Sequence, residues 1–322
     1  MSRIRALFLG TPEIARFCLE AMIKDPHFEV VAVVTQPDRP AGRKMQLQPS
    51  PVKALVQPLG IPVLSPESIN TPEVMRQLEE FRAEVAVVVA FGQILKQPFL
   101  DLFPQKVVNV HASILPRWRG AAPIQRALME GDKETGVCLQ VMVRKLDAGP
   151  VLGERRFALT DDMNAFDSYK LCEELGAQLI NVDLMDYLRG NLTPLPQDES
   201  QVTYAKKIEK AEAQIDWSKD AAAVHNHIRG LAMGPVAYTL SKGKMLKIRK
   251  TRVDAKHSAS LRPGQVLEVT EKSLLVQCGK GSLELLVVQP ESRSTIEIGE
   301  YLRGYPMKAG DSFSATDPEK KS

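Results

Sequence analysis

Residues 85–90 read VAVVVA, apolar at every position. A strand turns successive side chains to opposite faces, so a strand with no polar side chain must be covered on both. Helices on the two sides of a mostly parallel sheet give that cover, and the surrounding sequence fits them. Ile4–Leu9 is a short apolar run ended by Gly10, Glu29–Thr35 is rich in β-branched residues, and Val107–Val110 and Gly136–Val143 are two further apolar runs. Helix-period patterns lie between these runs, over Ser50–Leu59, Thr71–Phe81, Ala121–Met129 and Asn164–Arg189. The stretch TPEIARFCLEAMIK carries helix-start signals, with Thr11 as the expected N-cap, Pro12 in the first turn and Glu13 near the helix N-terminus. Strand and helix in alternation predict an open, mostly parallel α/β sheet. Ligands of such sheets bind outside the carboxyl ends of the strands.

The pattern changes after Arg189. RGNLTPLPQDESQVTYAKKIE is rich in proline and polar residues and reads as a linker. A short helical stretch, SKDAAAVHNHIRGLA, follows it. Then come short runs with glycine punctuation, among them AYTLSKGKMLKIRKTRV and PGQVLEVTEKSLLVQCGKGSLELLVVQP, which predict a small β-barrel. The 322 residues, 44% hydrophobic and 25% charged, suit two such domains. The division expected is 1–189, a linker over 190–208, and 209–322, with a disordered tail at SATDPEKKS. The net charge of +3 is unevenly spread. Residues 1–208 hold 24 basic and 25 acidic side chains, net −1, and residues 209–322 hold 18 and 14, net +4. Cys18, Cys138, Cys172 and Cys278 are far apart and form no metal-binding spacing, so buried reduced thiols in a cytoplasmic protein are expected, with no metal. No apolar run approaches the roughly 20 residues of a membrane span, and MSRIRALFLGTPE lacks a signal-peptide cleavage pattern. A first strand is expected there instead.

Two stretches carry chemistry. The first is VVNVHASILPRWRG, Val107–Gly120. Asn109 and His111 are two apart, so on a strand they share a face, at the end where ligands bind. An asparagine amide offers uncharged donors, and a histidine titrates close to neutrality. Donors aimed at a carbonyl oxygen stabilise the oxyanion formed when a nucleophile attacks it. Asp147, in LDAGP, would orient the histidine. The trio suits acyl transfer to an external nucleophile, because Ser113 lacks a GxSxG elbow and no cysteine is close in sequence. Spacing alone leaves open that His111 is structural and that Asp147 only makes a turn. The second stretch is QPDRPAGRKMQLQPSPVK, Gln36–Lys53, with Arg39, Arg43, Lys44 and Lys53 against the single acid Asp38. A basic loop at the ligand end of the sheet could meet a phosphate backbone, or could be a solvated surface loop. His225 and His227, two apart on a helix, read as surface or packing residues, and His27 and His257 as turn residues.

Taken together, these stretches resemble the formyl-tetrahydrofolate-dependent transferase family over about residues 3–314, and within it the branch that acts on charged tRNA. NVHASILPRWRGAAPIQRAL resembles the family signature, LDAGPVL the segment with its catalytic aspartate, and FLGTPEIA, AFGQIL and TYAKKIEKAEAQIDW match further segments. TQPDRPAGR with PSPVK resembles the loop that engages the tRNA acceptor end. The resemblance implies a Rossmann-like catalytic sheet followed by an OB-like barrel that binds tRNA. It implies 10-formyltetrahydrofolate as formyl donor and initiator methionyl-tRNA as acceptor, in a monomer. By position, Asn109, His111 and Asp147 match the catalytic trio. Ser113, Ile114, Leu115 and Pro116 match the folate turn, and Phe91, Gly92 and Ile94 match one wall of the pterin pocket. Arg43 matches an acceptor-stem arginine. Arg39, Lys44, Lys206, Lys207, Lys242, Lys244, Lys247 and Arg249 complete the expected tRNA contacts. The chain departs from the family at Lys44 and Lys145, where glycine is common, and at GLAMGPVAY, which lacks a usual tryptophan.

The mechanism so implied is direct attack of the methionyl α-amine on the formyl carbon, with Asn109 and His111 stabilising the oxyanion and Asp147 holding His111. Ser241–Arg252 holds six basic residues and no acid. At strand spacing Lys242 and Lys244 and, after an out-of-phase pair, Lys250 and Arg252 would form a basic stripe. A guarded edge strand is the other reading of that stretch. Rival functions are a formyl-tetrahydrofolate hydrolase, a sugar-nucleotide formyltransferase, and, in another class, a non-catalytic tRNA-binding protein.

Overall fold

A computed structural model describes residues 3–41, 46–256 and 260–314. Arg43, Lys44, His257 and the tail beyond Ser314 lie outside the described residues.

The chain forms two compact units. The first contains Met1–Pro123, Glu134–Ala158 and Tyr169–Ala205. In it β1 (Ile4–Gly10) leads to α1 (Glu13–Lys24), β2 (Phe28–Val34), a short ribbon of β3 (Arg39–Ala41) and β4 (Gln46–Gln48), α2 (Pro51–Val56) and β5 (Val63–Leu64). Then come α3 (Pro72–Glu80), β6 (Val85–Val89), α4 (Gln97–Leu102), β7 (Val107–His111) and β8 (Arg119–Gly120). The unit is completed by β9 (Glu134–Val141), β10 (Val151–Ala158), most of α6 (Ala165–Leu179), α7 (Met185–Leu188) and β11 (Tyr204–Ala205), whereas α5 (Pro123–Glu130) after its first residue and the first turn of α6 belong to the second unit. The main sheet has the order β10-β9-β7-β6-β1-β2-β5. Its strands from β7 to β5 run parallel, and β9 and β10 close one edge antiparallel. The expected α/β class is therefore what the chain adopts. Every residue of β6 is buried, as its all-apolar sequence required. One helix on this sheet, α1, buries Ala15, Cys18, Leu19 and Met22, a one-sided stripe at spacings of three and four.

Some local expectations change. Thr11 does not cap α1: Pro12 is the N-cap residue, and the Thr11 hydroxyl donates to the Phe91 carbonyl at 3.1 Å instead. Ser50 and Thr71 do cap, each accepting from the backbone N–H three residues on. The basic stretch is a two-stranded ribbon at its base, and Lys53 is engaged there by Asp38 at 2.7 Å. The long helix expected over 164–189 is interrupted by a π-helical turn, Ile180–Leu184. All four cysteines are free and buried, and burial pushes the thiols of Cys18, Cys138 and Cys278 up to about 12. Such thiols are inert as nucleophiles.

The second unit contains Ile124–Lys133, Leu159–Ser168 and Lys206–Ser322. Its elements include α8 (Ala221–Gly230), β12 (Tyr238–Ser241), β13 (Lys244–Asp254), β14 (Val266–Val269), β15 (Leu274–Gln277), β16 (Ser282–Pro290), β17 (Ile296–Glu297), α9 (Ile298–Gly304) and β18 (Phe313–Ser314). The antiparallel sheet runs β14-β15-β16-β13-β12-β18, and a bridge between Gln265 and Ser312 draws its two ends together. The sheet is thus curled, as the barrel expectation required. Its core holds Trp217, Leu246, Ile248, Leu285 and Phe313, and Trp217 stacks on Phe313 at 6.0 Å. Among the described residues no helix is long and apolar enough to cross a membrane.

Candidate active site

The order of the main sheet reverses at β1, with β2 on one side and β6 on the other. A crevice forms where neighbouring connections leave a parallel sheet in opposite directions, outside the carboxyl ends of the strands. Asn109 and His111 sit on β7, at that end, beside β6. Register pairs Asn109 with Gln140 and His111 with Cys138 on β9. Directly paired residues share a face of the sheet, so Asn109, His111 and Gln140 project to one side. Asn109 is only half-buried, and no hydrogen bond occupies its amide among the described residues. His111 is buried.

His111 is held from a different place than its sequence neighbours suggest. Its Nε2 lies 2.9 Å from the Trp118 carbonyl oxygen. A carbonyl only accepts, so Nε2 carries the hydrogen and donates. The Nδ1 atom faces Asp147 Oδ2 at 3.8 Å. That is ion-pair range but too long for a hydrogen bond. The Trp118 carbonyl is thus the hydrogen-bonded support of the ring, and Asp147 faces its other nitrogen at ion-pair distance. Asp147 accepts from Gly120 N–H at 2.8 Å through Oδ2 and from the Gln140 amide at 3.2 Å through Oδ1. The LDAGP segment does make a turn, and Asp147 has φ +47°.

Two glycines allow this. A Cβ on Gly149 would fall 1.6 Å from the Val141 carbonyl oxygen, so only glycine lets the aspartate turn lie against β9. Gly120 has φ +124° and approaches the Ala205 carbonyl where a Cβ would meet it at 2.7 Å. The Gly120 N–H that Asp147 needs comes from that close approach.

The residues matched to folate binding lie on two loops. Ser113 is fully buried and its hydroxyl donates to the Arg117 carbonyl at 2.7 Å, which closes the Ser113–Arg117 turn. Ile114 and Pro116 are half-buried and Leu115 is buried. The loop after β6 carries Phe91, which is buried, Gly92 at φ +87°, and Ile94, which is 82% exposed. Thr11 and Gln36 both donate to the Phe91 carbonyl, and Gln93 and Asn70 tie the rest of the loop to residues 66–70 and 94–96. An apolar side chain left in solvent on a loop stapled this firmly offers a fixed surface to a flat ring.

Behind the trio lies a polar layer that composition did not single out. The Gln197 amide donates to the carbonyls of Asp147 at 2.8 Å and Gly149 at 2.7 Å, and accepts from Arg119 Nη2 at 2.7 Å and Nε at 3.0 Å. Arg119, fully buried, also donates to Glu199 at 2.7 Å. Lys145 pairs with the other Glu199 oxygen. These two cations hold the Glu199 carboxyl down at about 2. The lysine that departs from the family pattern is therefore engaged with Glu199. The stretch expected as a linker is attached along its length: Leu195 bridges Val151, Thr203 accepts from Trp118 N–H, and Tyr204–Ala205 pair with Arg119–Gly120. Only long-range register and loop closure bring these groups together, and no local signal in the sequence marks them. Among the described residues no group of three or more histidine, cysteine or acidic side chains is placed to hold a metal ion.

The basic residues are spread over both units. Arg39, in the first unit, is exposed and reaches Glu67 at 3.3 Å. In the second unit Lys206, Lys207, Lys242 and Lys244 are exposed, and Lys247 and Arg249 are half-buried. Arg249 donates to Gln289 at 2.6 Å.

Comparison with known proteins agrees with this layout. A family model described as formyl transferase matches residues 2–180, and one described as formyl transferase, C-terminal domain, matches residues 207–306. The methionyl-tRNA formyltransferase of Bdellovibrio bacteriovorus is 55% identical over 314 residues, covering 97% of this chain and 99% of its own. That of Cereibacter sphaeroides is 42% identical over 315 residues, covering 97% and 100%. Among solved structures, WlaRD, a sugar 3N-formyl transferase with dTDP and 5-N-formyl-THF, superposes with a TM-score of 0.67 at 17% identity, covering 91% of this chain and 100% of its own. HypX from Aquifex aeolicus, in complex with tetrahydrofolic acid, gives 0.63 at 17%, covering 98% and 51%. At those identities the likeness speaks for the fold alone.

Proposed function

Because the chain belongs to the formyl transferase family, we propose that it transfers a formyl group from 10-formyltetrahydrofolate to the α-amine of initiator methionyl-tRNA, in translation initiation. One observation carries the reading: end-to-end identity of 55% with a methionyl-tRNA formyltransferase. The catalytic roles of Asn109, His111 and Asp147 are our own assignment, supported by an unpaired amide and an oriented imidazole at the carboxyl end of β7.

The neutral amine attacks the formyl carbon, and the carbonyl electrons move to oxygen. The Asn109 amide, unpaired among the described residues, donates to that oxyanion. His111 donates from Nδ1 when this atom is protonated too, and Asp147 Oδ2, 3.8 Å away, balances the added charge. On collapse the oxyanion electrons re-form the carbonyl and the bond to N10 breaks, leaving the formyl carbon bonded to the amine nitrogen. The proton lost by the amine ends on N10, with Asp147 as relay, either directly or through a water. Among the described residues each carboxylate oxygen of Asp147 accepts one hydrogen bond, which leaves each a lone pair for that task.

Ser113–Pro116 and the Phe91–Ile94 loop hold the folate in this reading. Arg39, Arg43, Lys44, Lys206, Lys207, Lys242, Lys244, Lys247 and Arg249 meet the tRNA. Residues 1–189 carry catalysis, 190–208 link, and 209–322 carry the tRNA-binding barrel, in a cytoplasmic monomer. The test is to incubate the full chain with 10-formyltetrahydrofolate and either methionyl-tRNA or water alone. Formyl-methionyl-tRNA is the expected product. Formate release without transfer to the tRNA would overturn the reading in favour of a hydrolase.

A further inference from the structure

We infer that residues 195–205 clamp the catalytic loops, with Gln197 and Thr203 as positioning residues for Asp147 and His111. The inference rests on the formyl-transfer reading above.

The residue that orients His111 and the residue that carries the carboxylate are both on strained backbone. Trp118, whose carbonyl holds His111, has φ +63°, and Asp147 has φ +47°. Non-glycine residues in this region are strained and persist only where their surroundings hold them. Here one segment holds both. Thr203 Oγ1 accepts from Trp118 N–H at 2.9 Å, and the Thr203 carbonyl accepts from Arg119 N–H at 2.9 Å. Six residues earlier, the Gln197 amide spans the Asp147 and Gly149 carbonyls.

The orientation of that amide follows from its partners. Arg119 presents only donors and the two backbone carbonyls only acceptors. A flipped Gln197 would set N–H against N–H and oxygen against oxygen, so the oxygen faces Arg119 and the nitrogen faces the aspartate turn. Arg119 is fully buried and fixed in turn by Glu199. The donor to Asp147 is thus rigid. Without it, the turn can relax toward a less strained φ, which carries the carboxylate away from Gly120 N–H and from His111 Nδ1.

Two substitutions separate this role from bulk stability. Gln197→Met removes donor and acceptor with little change in size. Gln197→Glu keeps an acceptor toward Arg119 and replaces the donor with a second oxygen facing the carbonyls. Both variants are assayed as full chains with 10-formyltetrahydrofolate and methionyl-tRNA, after thermal melts establish that they fold. A shift of about 1 Å in a catalytic group costs roughly 100-fold, so kcat is expected to fall about tenfold to 100-fold in both while KM for each substrate stays unchanged. Wild-type kcat in both variants, rescue by the glutamate, or a loss confined to KM for the tRNA would each overturn the inference. If Gln197→Met does not fold, Thr203→Val makes the same test through Trp118, with the same expected and overturning results. A wild-type chain that makes no formyl-methionyl-tRNA would instead remove the functional reading, and this one with it.

Discussion

Asn109 and His111 lie two residues apart, yet the structure gives them different freedom. His111 spends one nitrogen on the Trp118 carbonyl, whereas the Asn109 amide is uncommitted. An uncommitted donor contributes most where charge develops, so its loss should appear in turnover and not in binding. Asn109→Ala and His111→Ala are each expected to lower kcat by about 100-fold or more, roughly 3 kcal/mol per donor, with little change in KM. Steady-state kinetics decides it, and near-normal turnover in either variant removes that residue from the assignment. Strand parity alone told that these side chains point together. It could not tell what holds the imidazole. That contact runs to a tryptophan in the left-handed region, seven residues on, and backbone of that kind follows from loop closure, which composition does not encode.

Elements show where local reading succeeds and where it stops. β6 was legible because a covered parallel strand leaves no polar parity, and β7 because its two polar residues share one parity in an otherwise apolar run. The basic strand β13 was legible only in part. Its burial alternates up to Ile248, with Leu246 and Ile248 inward and Lys247 and Arg249 half-exposed. Register shifts between Ile248 and Thr251 then change the phase, so Lys250 and Arg252 face out around buried Thr251. Basic residues on both sides of the bulge therefore reach the outer surface, although their spacing in sequence puts them out of phase. Each phosphate contact contributes about one unit to the slope of log affinity against log salt. Lys244→Gln should weaken tRNA binding and flatten that slope by about one, as read by filter binding over a salt series. An unchanged slope would take Lys244 out of the interface. The aspartate turn makes a second test at this scale. Gly149→Ala forces a Cβ into the Val141 carbonyl, which should cost about 2 kcal/mol in a denaturant melt, with kcat reduced as well. A variant as stable and active as wild type would show that the turn is not pinned to β9.

At the scale of the whole chain, two histidines make the second unit sensitive to acid. In the second unit His225 is buried on α8, its Nε2 donating to the Asp161 carbonyl at 2.9 Å and its Nδ1 2.9 Å from Thr251 Oγ1. Burial lowers its pKa below the ordinary 6.5 and outweighs the hydrogen bond to the Asp161 carbonyl, which opposes it; the Arg229 charge adds to the lowering, and the Asp161 and Asp162 charges oppose it less. Burial also lowers His227, helped by Lys219 and Arg126 and opposed by Glu212. The sign follows from proton counting. Below 6.5 an unfolded chain protonates both rings, while the folded unit resists until a lower pH, so unfolding takes up protons and acid favours it. Stability from these two histidines is complete above 6.5 and is lost as pH falls from there toward their folded values. Trp217 lies in the core of this unit, so a Trp118→Phe background leaves a single fluorescent reporter of it. In that background the urea midpoint read at Trp217 should fall as pH drops below 6.5, and replacing both His225 and His227 by glutamine should flatten the fall whatever it does to stability at neutral pH. Both histidines were legible in the sequence as packing or surface residues, but helix spacing could not choose between the two. For His225 the contacts that decide for packing come from Asp161 and Thr251, distant in the chain and joined only by the fold of this unit. If the midpoint of the doubly substituted chain keeps the wild-type slope, the acid sensitivity belongs to carboxylates, and the buried histidines do not contribute to it.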